Sequence, residues 1–424
     1  MSSRLERGIK AAFGRPVQNA ATHQTLTHTG LAAFNGGPAT ADNARKLSAV
    51  DRCIEVLSDS MSKLPVYVVD RETRERVDHP LNRLLGERPN PWQNASVAKK
   101  MIETSRICYG NGYALIRRDP GSLAPTEIIP LPHHLVTPLR YQTGEVIYRV
   151  ISPYTGEMEM VDSMDMIHVM GYTKNGFSGI GVLARASEVI AAGRTRQQYD
   201  LSYYQNGGTP GGILQCEGDL TGMVEVPTED GGTRKVQIRD VIRDEWQSNY
   251  GGPGNAGKTA VLDFGVKYSP LAPTNRDAQF IEASELSTKD IARHFGVQLY
   301  KLMDGDQSSY AANSQGAVEY VVSELHPKVT QYEEEYTYKL LSSEDAKRYY
   351  VHINMMAELR GDFASRGDWY KTMSEIGAFS VNDVLALEDM PDVPGGDERR
   401  ASLNYVPLKD WEELSRKRNE VNGK

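Results

Sequence analysis

RDAQFIEASELSTKDIARHFGVQLYKLMDGDQSSY, residues 276–310, is the stretch whose reading decides the fold. Its first part carries Phe280, Ile281, Leu286, Ile291 and Phe295 between charged residues. Phe280, Ala283, Ser287, Ile291 and His294 recur at the spacing of one helical face. Gly296 then stops the helix, as a residue tolerant of positive φ does at a C-terminus. Lys301–Tyr310 is polar, short-chained and glycine-containing, and a second helix starts near Asn313-Ser314-Gln315 and runs to about Leu341. Pro327 predicts a kink or break within it, at His326-Pro327. The pattern is two helices joined by a mobile polar loop, an arrangement able to line a channel inside a ring.

Upstream, residues 14–44 are rich in Ala, Thr, Asn, Gly and His without periodicity and read as a flexible arm. A helix over 45–64 leads into a strand, Val66–Val69, and a charged turn, Glu72–Arg76, precedes a returning segment. Val97–Tyr109 reads as helix and Ala114–Ile116 as strand. Thr126–Pro138 and Val146–Met170 read as further β structure, with turns at Thr143-Gly144 and Tyr154-Thr155-Gly156. The helix Val182–Gln205 ends at Asn206-Gly207-Gly208, before Pro210. Residues 211–275 form a separate small unit. In it Val224-Glu225-Val226 and Val236-Gln237-Ile238 flank Asp230-Gly231-Gly232 as a hairpin, followed by a helix, Ile238–Tyr250, a glycine-rich turn and a strand, Ala260–Val266. Pro394-Gly395-Gly396-Asp397 is linker-like, Trp411–Arg418 reads as a final charged helix, and no internal repeat is visible.

Several short motifs fall in a fixed order. Ala49-Val50-Asp51-Arg52-Cys53-Ile54 opens a helix that ends at Leu64-Pro65-Val66-Tyr67. His79-Pro80-Leu81 through Leu84-Leu85 is followed by Arg88-Pro89-Asn90, then Gly110-Asn111-Gly112-Tyr113-Ala114, then Asp165-Met166-Ile167-His168-Val169. Gly251-Gly252, Asn255-Ala256-Gly257-Lys258, Asp277-Ala278-Gln279-Phe280 and Ile291-Ala292-Arg293-His294-Phe295-Gly296-Val297 complete the series. In this order, over about residues 45–400, the chain resembles the portal proteins of tailed double-stranded-DNA bacteriophages, in the lambda-like, long-tailed branch. The resemblance implies an α+β fold with an α/β wing, a two-helix stem, a small α/β clip and a long wing helix, assembled as a ring. It assigns residues 1–44 to the flexible N-terminal arm, 45–185 to the first part of the wing and 186–207 to a stem helix. The clip is 208–275, the second stem helix 276–296 and the tunnel loop 297–312. Residues 313–390 are the long wing helix and crown-side helices, and 391–424 the C-terminal tail.

The function so implied is a structural, non-enzymatic one. The subunit forms the channel at one capsid vertex of the virion, in the family's usual form a dodecamer, assembled in the host cytoplasm. Its implied partners are the terminase large subunit, the major capsid protein, a head–tail connector or adaptor, and the double-stranded DNA that passes through during packaging and ejection. The DNA-channel loop residues are Lys301, Asp304, Asp306, Gln307, Ser308, Ser309 and Tyr310. The short polar groups Gln307, Ser308 and Ser309 suit transient phosphate contacts, Asp304 and Asp306 repel phosphate, and Lys301 is basic. On the residues alone, an ordinary surface loop reads nearly as well.

Composition bounds these readings. The 424 residues, 39% hydrophobic and 25% charged, suggest roughly three globular domains of about 150 residues each. Against 56 acidic residues stand 48 Lys and Arg, a formal net charge of −8. That disfavours tight, sequence-independent DNA binding but suits a conduit through which DNA slides. Cys53, Cys108 and Cys216 are odd in number and widely spaced, and read as buried or idle free thiols. No apolar run suggests a membrane span, and Arg4–Phe13 lacks the core of a signal peptide, so a soluble cytoplasmic product is expected.

Some motifs point elsewhere. Gly252–Thr259 satisfies the P-loop pattern, which would make the chain a nucleotide-binding enzyme. A P-loop needs strand, loop, helix, whereas here the order reads helix, loop, strand, leaving no helix N-terminus for phosphate. Gly179-Ile180-Gly181-Val182-Leu183-Ala184 fits a relaxed dinucleotide fingerprint, with Asp200 near the acidic position, but no βαβ succession surrounds it. His133-His134 lacks metal-site spacing and reads as surface. His168, in an apolar strand, reads as a satisfied core histidine, and Glu333-Glu334-Glu335 as a solvated helix face. No catalytic constellation, cofactor site or metal site is expected.

Overall fold

A computed structural model describes residues 18–19, 41–153, 155–205, 212–216, 221–227, 233–250, 266–270, 288–302, 316–359, 363–388 and 390–399. They belong to two compact units, residues 1–308 with 322–353, and residues 309–321 with 354–424.

In the larger unit, α1 (Ser48–Lys63) buries Val50, Cys53, Ile54, Leu57 and Met61, a run at three- and four-residue spacing. Each fully buried aliphatic on this face contributes about 1.5–3 kcal/mol. The helix ends because Leu64, extended at ψ 128, precedes Pro65. Strand β1 (Val66–Asp70) follows, then α2 (Pro80–Gly86), where the His79 ring accepts the Leu81 N–H and Pro80 occupies the first turn. Helix α3 (Ala95–Tyr109) is capped at its start by Asn94, which accepts the Val97 N–H, and stopped by Gly110 at φ 86.

Strands β2 (Asn111–Arg118), β3 (Pro125–Leu131), β4 (Val136–Arg140), β5 (Val146–Ile151), β6 (Met158–Asp162) and β7 (Met166–Met170) make two antiparallel sheets. One has the order β3-β2-β7, the other is the meander β4-β5-β6. The core between them takes Tyr113, Leu115, Ile129 and Leu131 from the first sheet and Val136, Tyr148, Val150 and Val161 from the second. Helix α3 packs on the three-stranded sheet and against α1. The turns expected near residues 144 and 156 are present, with Gly144 and Gly156 at positive φ. The arm read as flexible nevertheless supplies Gln18–Asn19 as a short strand beside β4, where an edge offers unpaired backbone groups.

Helix α4 (Ser187–Gln205) follows a short helical turn, Val182–Arg185, so the single helix expected over 182–205 is interrupted at Ala186. Strand β8 (Gly212–Cys216) pairs with a strand at Val266–Pro270, and β9 (Met223–Pro227) with β10 (Thr233–Gln237) as the expected hairpin, with Val224 opposite Val236. Helix α5 (Ile238–Tyr250) has the predicted limits. The strand β11 (Val266–Pro270) lies beyond the Ala260–Val266 segment, most of which is outside the described residues.

The long helix bears out the disruption expected at His326-Pro327. A π turn, Val321–Leu325, runs directly into α6 (His326–Leu340), which carries Pro327 in its first turn. The wider turn accommodates a residue that has no N–H to donate. Helix α6 lies between two sheet edges. One is β7, and the other is β12 (Tyr349–Ile353), which pairs antiparallel with β1. The acidic run is not a simple solvated face. Glu335 accepts the His168 N–H at 2.8 Å, Glu333 accepts the Ile353 N–H at 2.7 Å, and Glu334 alone of the three is exposed. Thr337 accepts the Val351 N–H and Lys339 donates to the Met166 carbonyl. The helix thus satisfies edge groups that water or another chain would otherwise take.

The smaller unit contains α7 (Phe363–Glu375) and α8 (Val381–Leu387), the latter opened by a reciprocal Ser380–Asp383 capping box. Glu388 joins the two helices by accepting from Arg366 and Tyr370. Trp411–Arg418 lies outside the described residues.

Candidate functional site

The near foot of the predicted channel loop is built on the Gly296 stop. Gly296 sits at φ 70, its N–H donates to Arg293 O, and the Val297 N–H reaches back to Ala292 O at 3.0 Å. That pair of bonds is the Schellman closure, completed by burial of Val297 and Ala292. The Glu324 carboxylate occupies the space a Cβ on Gly296 would take, so the residues before and after the loop meet here. Leu299–Leu302 forms a short 3-10 turn against α1, and Arg52 Nε donates to Lys301 O at 3.2 Å. The segment 297–302, read as part of a mobile loop, is therefore anchored, with Lys301 half-buried. Asp304, Asp306, Gln307, Ser308, Ser309 and Tyr310 lie outside the described residues.

The motifs of the first half converge on one buried polar knot. Strands β2 and β7 bring Tyr113 opposite His168. Asn111 Oδ1 accepts the Gly179 N–H at 2.7 Å and its Nδ2 donates to Gly179 O at 3.1 Å. That exchange fixes which end of the amide is oxygen, and the same oxygen lies 3.0 Å from His168 Nε2. Nε2 therefore carries the proton, and Nδ1 accepts from the Tyr148 hydroxyl at 3.0 Å. Burial, reinforced by the nearby Lys339 charge, pushes the His168 pKa down to about 3. His168 is the satisfied core histidine expected, held neutral.

The glycines that fit a relaxed dinucleotide fingerprint serve this packing instead. A Cβ on Gly179 would lie 1.9 Å from Gly110 O, and one on Gly181 would lie 2.1 Å from Cys108 O. Backbone meets backbone there, which only glycine allows.

A second buried network ties α3 to α6. Arg106 donates from Nε and Nη2 to the two oxygens of Glu103, at 2.7 and 2.5 Å, and the Tyr332 hydroxyl donates to Glu103 at 3.0 Å. Burial alone would raise the Glu103 pKa, but the Arg106 guanidinium overrides it and holds the carboxyl below its usual value. Residue-by-residue reading missed both Glu103 and Lys99, whose Nζ donates to Leu64 O at 2.5 Å. Both are polar residues on a helix otherwise legible by its apolar spacing.

The thiols of Cys53 and Cys108 are buried, free, and pushed up to about 12 by burial, while the Cys216 side chain is outside the described residues. His133 stacks on Tyr109 and His134 is exposed. Among the described residues no cluster of three or more His, Cys, Asp or Glu is placed to hold a metal, and no helix is long and apolar enough to cross a membrane. Around the P-loop pattern the preceding described element is helix α5 and the next is strand β11, while residues 251–265 lie outside the described residues.

Comparison with known proteins gives a consistent picture. The family model described as "Phage portal protein" matches residues 48–389. The portal protein of Enterobacteria phage HK97 is 27% identical over 378 residues, 86% of this chain and 84% of that protein. Among solved structures, the neck of an empty gene transfer agent particle, computed with C6 symmetry, overlays with a TM-score of 0.58 at 18% identity. That overlay covers 90% of this chain and 97% of the other. The neck of the native particle, computed with C12 symmetry, gives 0.54 at 17% identity over 92% and 100% of the two chains.

Proposed function

Because this chain belongs to the phage portal protein family, we propose that twelve copies of it close into a ring around a DNA channel at one vertex of the capsid. The observation that carries the reading is the family match across residues 48–389, which takes in both motif-bearing strands, α6 and the anchored foot of the loop. The twelve-fold count is supported by the gene transfer agent neck reconstructed with C12 symmetry. In this reading residues 45–185 and 313–390 are wing and crown-side helices, 186–207 and 276–296 the stem, 208–275 the clip and 297–312 the tunnel loop. The clip meets the terminase large subunit during packaging and a head–tail connector afterwards, and the major capsid protein surrounds the ring. Assembly takes place in the host cytoplasm.

The subunit does no chemistry of its own in this account; the terminase supplies the work and the ring supplies the path. A net charge of −8 suits that role, since each fixed phosphate contact would slow a sliding duplex. Gln307, Ser308 and Ser309 touch passing phosphates transiently while Asp304 and Asp306 keep them from sticking. The loop acts on a foot already fixed by Gly296 and Leu299–Leu302, so shortening Asp304–Ser309 should leave folding and ring closure intact. The same variant should shorten the packaged genome or lose it after packaging. Collapse of the ring would make the loop a structural element, and normal packaging with normal retention would make it a dispensable surface loop.

A further inference from the structure

Strands β1 and β12 lie side by side, with Tyr67 opposite His352 and Val69 opposite Tyr350. Residues opposite one another across a ladder share a face, so these four side chains lie on one side of the pair. The returning segment extends the same face, because Arg76 bridges Val69. The rings form a row, Tyr67 5.7 Å from His352 and His352 6.1 Å from Tyr350. Three guanidiniums stand on that row. Arg76 lies 5.3 Å from the centre of the Tyr67 ring, and Arg71 and Arg74 lie 5.3 and 5.8 Å from that of Tyr350. Arg71 also donates to Ala346 O at 3.1 Å, and Arg74 to the Tyr350 hydroxyl at 3.3 Å.

All three arginines are exposed, and among the described residues none has a carboxylate within ion-pair distance. The nearby acids are engaged elsewhere. Asp70 lies opposite Tyr349 on the other face and pairs at 3.0 Å with Arg348, which stands over the Tyr349 ring and feels the charge of Glu72. Glu75 precedes the bridging Arg76, so its side chain alternates to that other face. Glu333, at the far end of the row, is taken by His352 and the Ile353 N–H. Arg74 sits at φ 63, a left-handed backbone that glycine or asparagine takes more readily. An arginine kept there holds its guanidinium over Tyr350 at an energetic cost, which points to a use for the charge. No large apolar side chain of residues 66–77 or 349–353 is exposed. A protein partner would be met by an apolar centre with charge at its rim, whereas a face of unpaired arginines suits a nucleic acid.

We propose that this face binds the phosphate backbone of duplex DNA through Arg71, Arg74 and Arg76. The choice of DNA among polyanions rests on the portal reading above. A guanidinium presents a fork that phosphate oxygens match, and the rings beneath these three fix its plane. Three contacts make a weak hold, which should loosen about 40-fold between about 50 and about 200 mM salt. A subunit of net charge −8 carries such a patch without gripping the passing duplex.

Fluorescence anisotropy of a labelled random-sequence duplex, titrated with the full chain over that salt range, tests the site. The combined variant Arg71→Gln, Arg74→Gly and Arg76→Gln should reduce the slope of log affinity against log salt by about 2.7. Arg117→Gln, Arg243→Gln and Arg293→Gln together remove the same charge from exposed arginines that already face carboxylates. That control should leave the slope within about 1 of wild type. If the combined variant fails to fold, Arg74→Gly alone decides, since it relieves the left-handed backbone. It should keep a urea midpoint near wild type and lose about 0.9 of the slope. Equal slopes in wild type and variant overturn the proposal. So does polyglutamate that binds the wild type more tightly than the duplex at matched charge and loses that binding in the combined variant, because the partner is then an acidic protein segment. Electron microscopy of the same wild-type sample reads the ring separately. A chain that binds DNA as described but forms no ring overturns the portal reading alone, and a ring whose slope the variant leaves unchanged overturns this site alone.

Discussion

Replacing Asn111 by alanine should destabilise the subunit far more than its one-residue size suggests. Three bonds are lost together: the Gly179 N–H to Oδ1 at 2.7 Å, Nδ2 to Gly179 O at 3.1 Å, and His168 Nε2 to Oδ1 at 3.0 Å. All three partners are buried, so the substitution strands a donor and an acceptor on Gly179 and a donor on His168. An unsatisfied buried group costs about 1–3 kcal/mol, and because the three share one small space the losses overlap, giving roughly 3–6 kcal/mol in total. That is a large share of the ~5–15 kcal/mol that holds a typical domain together. The assay is urea unfolding of dilute subunit followed by near- and far-ultraviolet circular dichroism. Asn94→Ala is the control, since Asn94 makes one exposed cap bond to Val97 N and should cost about 1 kcal/mol. If Asn111→Ala costs no more than Asn94→Ala, the knot does not hold the two motif strands together and the reasoning fails.

Acid should weaken the fold through His168. Its folded pKa of about 3 lies below its unfolded value, so its neutral form favours the folded state above pH ~6.5, and this stability is lost as pH falls toward 3, by about 1.4 kcal/mol per pH unit. Urea midpoints measured from pH 7 to 4 should show that slope, and His168→Leu should flatten it. Gly296→Ala puts a Cβ 2.3 Å from Glu324 at φ 70 and should cost about 1–2 kcal/mol, measurable as a lower midpoint; an unchanged midpoint would mean the loop foot is not fixed as described. Isothermal titration with ATP should detect no micromolar binding in wild type or in Lys258→Ala, and binding lost in that variant would restore the P-loop reading.

Much of this architecture was legible because its signals are local. The Gly296 stop, the hairpin around Asp230-Gly231-Gly232, the limits of α5 and the satisfied core His168 all follow from residues a few positions apart or from one polar residue in an apolar strand. The pairing of β1 with β12 was not legible. Val68 meets Val351 across most of the chain, whereas the segment returning after the local turn at Glu72–Arg76 makes only a single bridge, Val69 to Arg76. Glu333 and Glu335 misled for a related reason. Their charge fits a solvated face, but their carboxylates satisfy edge N–H groups of β12 and β7 that the helix sequence does not reveal. Asn111 carried a motif without a visible role until Gly179 was seen beside it. Of the candidate site, the helix stop at Gly296 was readable, but the anchoring of 297–302 rests on contacts with the distant α1 that the local sequence does not reveal, and the polar tip offers no periodicity from which a conformation follows.

The central claim is a closed ring, and native mass spectrometry of the purified wild-type chain, paired with electron microscopy of the same sample, tests it most directly. The account predicts a species near 565 kDa, twelve times 47.1 kDa, with an axial opening. A stable monomer at high concentration, with no ring even when major capsid protein is added, would contradict it.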